Sequence, residues 1–269
     1  MGYEKELELA VDIARGASRI ILDHYEKDVH VRWKGRNDPV TDADEASTAF
    51  ILRMIDDGFP GDAVLIEERE DDGRRLASRR TWIVDPLDGT KEFIDRNGEF
   101  SVMVGLVDAG RPVLGAVAVP VGGVVYGGTA GGGAFFQEEG GERRPLPARK
   151  LPDLSDARLI VSRSHRSGKI DLVKEKLGIT SEIACGSVGL KMIKVISGEA
   201  DLYIHFGRGA KLWDTCAPDA IARAAGIMFT DLTGGDIDYL SPDVKIQKGI
   251  VVADARLHSR VISLIADLA

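Results

Sequence analysis

The sequence has few cysteines and no cysteine motif. Its 269 residues include two, Cys185 and Cys216, and neither lies in a CxxC pair of the kind that binds zinc. The count permits one disulfide. We expect free, buried thiols instead, because the first residues do not resemble a secretory signal and free cysteine usually packs as a small apolar group. The same reasoning predicts a cytoplasmic protein.

Long apolar runs and excess positive charge are also lacking. No apolar run reaches the ~20 residues that a membrane helix needs, so we predict no membrane partner. The formal net charge is -8, which argues against binding to a nucleic acid polymer. An acidic protein can still bind an anionic substrate when metal ions lie between the two, because a bound cation reverses the local charge.

Apolar spacing predicts helices over residues 4–27 and 42–58, the second with Thr41 or Asp42 as its N-cap. A polar turn is expected over 34–39 and a charged surface loop over 69–80. Residues 100–136 predict an antiparallel meander of apolar runs between Gly and Pro turns. Other short strands are predicted at 29–33, 63–66 and 81–84.

The second half of the sequence alternates predicted strands and helices, which is typical of an α/β protein. The polar stretch 138–153 is rich in Pro and Gly. It predicts a boundary between an N-terminal α+β domain, 1–150, and a C-terminal α/β domain, 151–269. The predicted strands are 158–162, 182–184, 200–205 and 228–230, and the predicted helices are 168–177, 188–197 and 215–225.

Acidic residues occur where predicted strands end or predicted helices begin. Glu67 follows one strand, and Asp85 and Asp88 follow another. Asp214 precedes a helix, and Asp44 lies in a first helical turn. One aspartate at such a place is usually a turn former or a cap. Their joint occurrence instead favours a magnesium site, because Mg²⁺ prefers carboxylate, water and phosphate oxygens.

The turn over residues 85–88 can direct Asp85 and Asp88 at one ion, with the Leu87 carbonyl as a further ligand. Glu67 could bridge to a second ion. Two ions ~3.5–4 Å apart would hold the attacking and leaving oxygens of an in-line displacement. This arrangement predicts phosphate ester hydrolysis.

Gly89 and Thr90 follow at the start of a predicted short helix. Their backbone N–H groups would face a phosphate, as N–H groups at helix starts do. The Thr90 hydroxyl could orient a water nucleophile. Together these features predict a magnesium-dependent phosphatase that acts on a small, soluble phosphomonoester.

At this point four motifs, in order, resemble the inositol monophosphatase superfamily of lithium-sensitive, magnesium-dependent phosphatases. The resemblance spans residues 5–255. It implies a layered α/β/α/β/α sandwich of the inositol monophosphatase and fructose-1,6-bisphosphatase type, usually dimeric. The motifs are PVTDAD at 39–44, IEE at 66–68, WIVDPLDGT at 82–90 and LWD at 212–214.

The resemblance also implies a role for each acidic residue. Asp44 is similar to a ligand of a third, weaker ion. Thr90, together with Asp44 or Glu67, would orient or activate the attacking water. The implied ligands of two magnesium ions are Glu67, Asp85, the Leu87 carbonyl, Asp88 and Asp214.

Within the superfamily the sequence is most similar to the 3′(2′),5′-bisphosphate nucleotidases, through DPLDGTKEF at 85–93, GSVGLK at 186–191 and WDTCAP at 213–218. This resemblance implies hydrolysis of adenosine 3′,5′-bisphosphate to AMP and phosphate. The alternatives are an inositol monophosphatase or fructose-1,6-bisphosphatase with the same metal ligands, and a non-catalytic binding protein. The implied substrate contacts are Asp88, Gly89 and Thr90 at the reacting phosphate, and Gly186, Ser187 and Lys191 at the sugar and second phosphate.

Two positions depart from the family pattern. His205 occupies a place where some nucleotidases carry arginine and inositol enzymes carry glutamate. A histidine there could contact a phosphate when protonated, or it could simply pack. Ile227 stands where a second glycine is common, which we expect to alter only a turn.

Overall fold

The structure, a computed structural model, describes residues 2–27, 30–35, 38–147, 153–164, 166–207 and 209–266. In chain order its helices are α1 (Glu4–Tyr25), α2 (Asp42–Gly58), α3 (Thr90–Ile94), α4 (Lys169–Leu177), α5 (Val188–Ser197), α6 (Leu212–Ala224) and α7 (Ala255–Ile265). Its strands are β1 (Val31–Gly35), β2 (Asp38–Thr41), β3 (Ala63–Ile66), β4 (Arg80–Asp88), β5 (Ser101–Asp108), β6 (Arg111–Val119), β7 (Val124–Thr129), β8 (Gly133–Glu138), β9 (Arg144–Pro145), β10 (Leu159–Ser162), β11 (Glu182–Cys185), β12 (Leu202–His205), β13 (Met228–Thr230) and β14 (Ile250–Ala253).

Two sheets and a separate two-stranded ribbon contain these strands. Strands β3 to β9 form one sheet in sequence order, with β3 parallel to β4 and every later pair antiparallel. This order confirms the predicted meander. The second sheet has the order β11-β10-β12-β14-β13, with parallel pairs around β10 and antiparallel pairs around β14. The ribbon is the antiparallel pair β1–β2.

The helices form layers with the two sheets. Helices α1 and α2 pack against each other and against one face of the seven-stranded sheet. Helices α5 and α6 lie between the two sheets. Helices α4 and α7 cover the outer face of the five-stranded sheet. The result is an α/β/α/β/α sandwich, which confirms the expected fold, and apolar burial at each layer boundary stabilises it.

Helix α1 shows why the first layer forms. Its buried residues recur at helical spacing and include Ala10, Ala14 and Ala17, whose small side chains allow close approach to the sheet. Ile13 and Ile21 are fully buried on the same side. Fully burying one such isoleucine contributes about 1.5–3 kcal/mol. The helix predicted over 4–27 is thus confirmed.

Two element boundaries near the acidic residues differ from the prediction. Strand β4 does not end at residue 84 but continues to Asp88, because Asp88 pairs with Ser101 of β5 after an irregularity in register. Helix α6 begins at Leu212, so Asp214 lies within the first helical turn and does not precede it. The Asp214 carboxylate accepts the Lys211 N–H at 2.7 Å, and this capping bond starts the helix three residues early.

The remaining predictions of turns, strands and the domain boundary have different outcomes. The turn expected over 34–39 is largely strand, since Gly35 ends β1 and Asp38 begins β2; residues 28, 29, 36 and 37 lie outside the described residues. Strand β14 and helix α7 were not predicted. The domain boundary near residue 150 stays a prediction, and 148–152 also lie outside the described residues.

Several bulk expectations can be compared with the structure. Cys185 and Cys216 are free and buried, as predicted. In the described part of the chain, no helix is both long and apolar enough to span a membrane. The loop 69–80 is not wholly exposed, because Arg75 is 2% exposed and donates to Asp71 and to the Pro242 carbonyl.

Candidate metal centre and substrate cleft

Three carboxylates converge where the two halves of the chain meet. Asp85 and Asp88 come from the end of β4, and Asp214 comes from the first turn of α6. One oxygen of each lies within 4.8 Å of the others. Side chains about 130 residues apart in sequence therefore share one small volume, because α6 packs directly on β4 and β5.

Burial and mutual repulsion make it unfavourable for all three carboxylates of this cluster to be ionised at once. Burial, followed by the charges of neighbouring carboxylates, raises the pKa of Asp85 and of Asp214 well above the ordinary range. Burial also raises the pKa of Glu67 to about 7, against a lowering effect of Lys34. Glu67, from the end of β3, is among the charges that act on both aspartates. Such a set of hard oxygen donors fits a divalent cation, which would compensate the repulsion.

The Asp88 carboxylate also joins β4 to the start of α5. It accepts the backbone N–H of Val188 at 3.1 Å and of Gly189 at 2.7 Å. The Ser101 hydroxyl donates to it at 3.2 Å, and the Ser187 hydroxyl forms a further short bond. A carboxylate at a helix start is favourable for the helix as well. Asp88 is thereby held in a single orientation.

The Gly186-Ser187 turn takes a special backbone shape to make this contact. Ser187 has φ 45°, in the left-handed region that ordinary residues avoid. Its hydroxyl accepts the Leu190 N–H at 3.0 Å and so caps α5. Gly189 must be glycine, because a Cβ there would lie 2.6 Å from both Met103 Sδ and Ser101 Oγ. Backbone strain such as that of Ser187 is typical of functional sites.

Asp44 and Thr90 form a second polar group beside the cluster. Asp44 Oδ2 accepts the Thr41 N–H at 2.8 Å and the Thr41 hydroxyl at 2.6 Å, which completes a capping box on α2. The Thr90 hydroxyl lies 3.3 Å from Asp44 Oδ1 and 3.4 Å from the Leu87 carbonyl oxygen. Burial raises the pKa of Asp44 to about 6. Thr90 therefore connects Asp44 to the segment 85–88, which carries two of the clustered carboxylates.

A cleft of about 200 Å³ opens beside Asp88. Lys191 reaches it but is 2% exposed, and its ammonium donates to the Gly186 carbonyl at 3.1 Å and the Ser187 carbonyl at 2.6 Å. Lys191 thus stabilises the turn, and the contact with the sugar and second phosphate that its motif implies stays a prediction, since an ammonium group has three donors. The cleft is lined by Pro39, Asp88, Gly89, Thr90, Lys91, Glu92, Ser162, Ser187, Val188 and Lys191.

His205 is at the end of β12. Burial, aided by the charge of Lys191, lowers its pKa to about 4. Its Nε2 is buried and makes no hydrogen bond to any residue that the structure describes. The imidazole is therefore neutral at physiological pH. This favours the packing role over a role as a cation that contacts a phosphate.

Some polar contacts of the site were not predicted. Lys34 on the ribbon lies 3.8 Å from Glu67 and 2.7 Å from Glu68. Glu92 is 5% exposed and accepts the Ser164 hydroxyl at 2.7 Å. These pairs are 33 to 72 residues apart in the sequence, so only the three-dimensional fold relates them.

Comparisons with known proteins identify the family of this chain. A sequence model of the inositol monophosphatase family matches residues 3–268. The 3′(2′),5′-bisphosphate nucleotidase CysQ of Escherichia coli (strain K12) is 36% identical over 251 residues, which cover 92% of this chain and 99% of that protein.

Solved structures give the same result. CysQ from Bacteroides thetaiotaomicron, described as a bacterial member of the inositol monophosphatase family, aligns with a TM-score of 0.76 and 33% identity over 93% of this chain and 97% of its own. An IMPase from Thermotoga maritima aligns with a TM-score of 0.82 and 23% identity over 98% and 97% of the two chains. The second similarity concerns the fold alone.

Proposed function

This chain belongs to the inositol monophosphatase family, and from that premise we propose that it is a 3′(2′),5′-bisphosphate nucleotidase. It hydrolyses adenosine 3′,5′-bisphosphate to AMP and phosphate. The observation that carries the phosphatase reaction is the convergence of Asp85, Asp88 and Asp214 within 4.8 Å beside an open cleft. The choice of nucleotide is supported by the similarity to CysQ of Escherichia coli, a 3′(2′),5′-bisphosphate nucleotidase.

The donor set fits magnesium, in two or three ions. Asp85, Asp88 and Asp214 would hold the first, with Glu67 and the Leu87 carbonyl completing the set for a second. When bound, such ions polarise the phosphoryl group and lower the pKa of bound water. Asp44 would bind a third, weaker ion. It would do so through Oδ1, because Oδ2 already accepts two hydrogen bonds from Thr41.

Thr90 and its neighbours would orient the attacking water. The Thr90 hydroxyl donates to Asp44 Oδ1, so its oxygen lone pairs stay available to accept a hydrogen bond from a water molecule. Glu67, which must be ionised to hold an ion, would share the activation of this water with Thr90. Gly89 and Thr90 line the cleft, and their backbone N–H groups would donate to the phosphate.

The substrate side of the cleft is proposed to involve Gly186, Ser187, Lys191 and His205. Lys191 acts by fixing the Gly186-Ser187 turn, and its positive charge still favours an anionic ligand nearby. His205, being neutral, would contribute packing or a single hydrogen bond. We also propose lithium sensitivity, a homodimer and a cytoplasmic location.

A substrate panel tests the proposal. Phosphate release is measured from adenosine 3′,5′-bisphosphate, inositol 1-phosphate and fructose 1,6-bisphosphate, with saturating Mg²⁺ and again with excess EDTA. We expect the highest kcat/KM for the nucleotide and no activity in EDTA. A clear preference for inositol 1-phosphate would overturn the substrate while leaving the metal chemistry, and full activity in EDTA would overturn the metal chemistry.

A further inference from the structure

The three tryptophans have very different environments. Trp82 is fully buried, and its indole N–H donates to Asp62 at 2.9 Å. Trp213 is 7% exposed and lies under the Lys211 ammonium. Trp33, on the ribbon β1–β2, is 62% exposed. It is the only aromatic residue among the large apolar side chains that are exposed in the described part of the chain.

The register of the ribbon places Trp33 beside the cleft. Trp33 is directly opposite Pro39, and opposite residues of an antiparallel pair share a face with Cβ atoms about 4.5–5.5 Å apart. Pro39 lines the cleft, and β2 packs against α3, which carries Thr90 and Lys91. The indole of Trp33 therefore stands at the rim of the cleft, one strand outside its wall.

The opposite face of the ribbon is anchored by ion pairs. Arg32 contacts Asp42 at 3.0 Å and Glu45 at 2.9 Å, and Lys34 contacts Glu68 at 2.7 Å. Side chains alternate between the two faces of a strand. Trp33 is thus directed away from the face that Arg32 anchors, while Lys34 lies at the register shift between Trp33 and Gly35 and fixes the end of the strand.

The cleft is too small for a whole nucleotide. Its volume is about 200 Å³, whereas pockets that enclose drug-sized ligands have roughly 300–1,000 Å³. With the reacting phosphate at ions held by Asp85 and Asp88, the ribose would occupy the cleft and the base would lie beyond its rim. An exposed aromatic ring at that rim is suited to stacking, since every base has a π face.

We propose that Trp33 is the stacking platform for the nucleobase, so that it determines the preference for nucleotides over base-free phosphate esters. This inference rests on the proposed nucleotidase function. Trp33 contributes to binding and leaves the chemical step unaffected, because an indole offers no ligand to the metal and is not part of the carboxylate cluster.

Steady-state kinetics of Trp33→Ala and Trp33→Phe test the inference. Three constants are measured in saturating Mg²⁺: the KM for adenosine 3′,5′-bisphosphate, the inhibition constant of AMP, and the inhibition constant of inorganic phosphate. For Trp33→Ala we expect the first two to rise roughly 5- to 10-fold, as loss of one stacked base predicts. The kcat and the phosphate constant stay within about twofold. Trp33→Phe keeps the ring and retains most of the affinity.

Leu172→Ala, which truncates an exposed side chain on the outer layer, is the matched control and leaves all constants unchanged. Equal values for Trp33→Ala and the wild type would overturn the inference, as would a parallel change in the AMP and phosphate constants. A changed oligomeric state of Trp33→Ala in size-exclusion chromatography would overturn it in favour of a subunit interface. If the wild type does not hydrolyse the nucleotide, the proposed function itself has failed, and the inference fails with it.

Discussion

The Asp88 carboxylate has two roles, one at the proposed metal site and one at the start of α5. Asp88→Asn removes a charge and replaces one acceptor oxygen by an NH₂ group that faces backbone N–H donors. We expect activity to fall on the order of 100-fold or more, and stability to fall by about 1–3 kcal/mol. Phosphate release and urea unfolding measure the two effects.

The control for Asp88→Asn is the same substitution at Asp57, an exposed residue near the end of α2. Asp57→Asn should be indistinguishable from the wild type in both assays. Near-normal turnover of folded Asp88→Asn would contradict the metal assignment.

His205 gives a prediction about pH. Its pKa is about 4 in the folded protein and ordinarily about 6.5. Between these values the unfolded chain binds a proton that the folded chain does not, so the free energy of unfolding falls as pH drops from 6.5 towards 4. His205→Gln removes this contribution, which we put at roughly 2 kcal/mol because the side chain is partly exposed.

Urea unfolding at pH 7.5 and pH 4.5 measures this contribution of His205 to the free energy of unfolding. The loss of stability on acidification should be smaller in His205→Gln than in the wild type, and unchanged in His30→Gln, an exposed histidine. An equal acid loss in wild type and His205→Gln would mean that His205 is protonated as easily in the folded protein as in the unfolded chain.

At the residue scale, the sequence was sufficient to predict that three carboxylates meet, and insufficient to predict the surroundings of Lys191 and His205. Asp85, Asp88 and Asp214 occur in specific motifs, and the structure brings them together. Lys191 and His205 were expected at the phosphate from their motif positions. Their burial and hydrogen bonds depend on tertiary neighbours that no local pattern contains.

At the element scale, the position of α6 decides where Asp214 lies. The helix packs against β5 and β6, where two glycines allow close contact. A Cβ at Gly115 would lie 2.2 Å from the Ala217 carbonyl oxygen, and one at Gly105 would lie 2.6 Å from Cys216 Sγ. Backbone cannot yield as a flexible side chain can, so a methyl group there must move the helix.

Gly115→Ala should therefore weaken both the fold and the site. We expect a loss of about 1–3 kcal/mol in the free energy of unfolding and a higher Mg²⁺ concentration for half-maximal activity. Gly61→Ala, at a position with open space for a Cβ, should change neither. Unaltered Mg²⁺ dependence in Gly115→Ala would show that Asp214 tolerates movement of α6.

Elements were predictable where apolar periodicity was strong, as in α1, α2 and β5 to β8. The boundaries at Asp88 and Asp214 were not. The pairing of Asp88 with Ser101 and the capping bond from Lys211 to Asp214 override the local pattern there. Strand β14 was missed because its pairing partners, β12 and β13, are distant in sequence.

At the scale of the whole molecule, the layered fold follows from the resemblance of four motifs more than from periodicity. The alternation of elements alone predicts α/β structure, but it does not predict that α5 and α6 lie between the two sheets. That arrangement matters because it joins Asp85 and Asp88 from one half of the chain to Asp214 from the other. The metal site is thus a product of the complete fold.

A divalent cation should therefore stabilise the whole protein, and do so more strongly as pH rises. The carboxylates must lose their protons to bind it, and burial holds the pKa of Glu67 at about 7. We expect Mg²⁺ at 100 times its dissociation constant to raise the free energy of unfolding by about 3 kcal/mol above pH 7, and by less at pH 5. Thermal unfolding in Mg²⁺ and in EDTA at both pH values measures this, and equal stabilisation at the two would contradict it.

The most direct test is anomalous diffraction from crystals of the active protein grown with Mn²⁺. Manganese prefers the same oxygen ligands as magnesium and is visible by its anomalous signal. We predict one peak in the anomalous difference map between the carboxylates of Asp85, Asp88 and Asp214, and a second peak near Glu67. Manganese bound elsewhere, with these side chains free of metal in a protein that still releases phosphate, would contradict it.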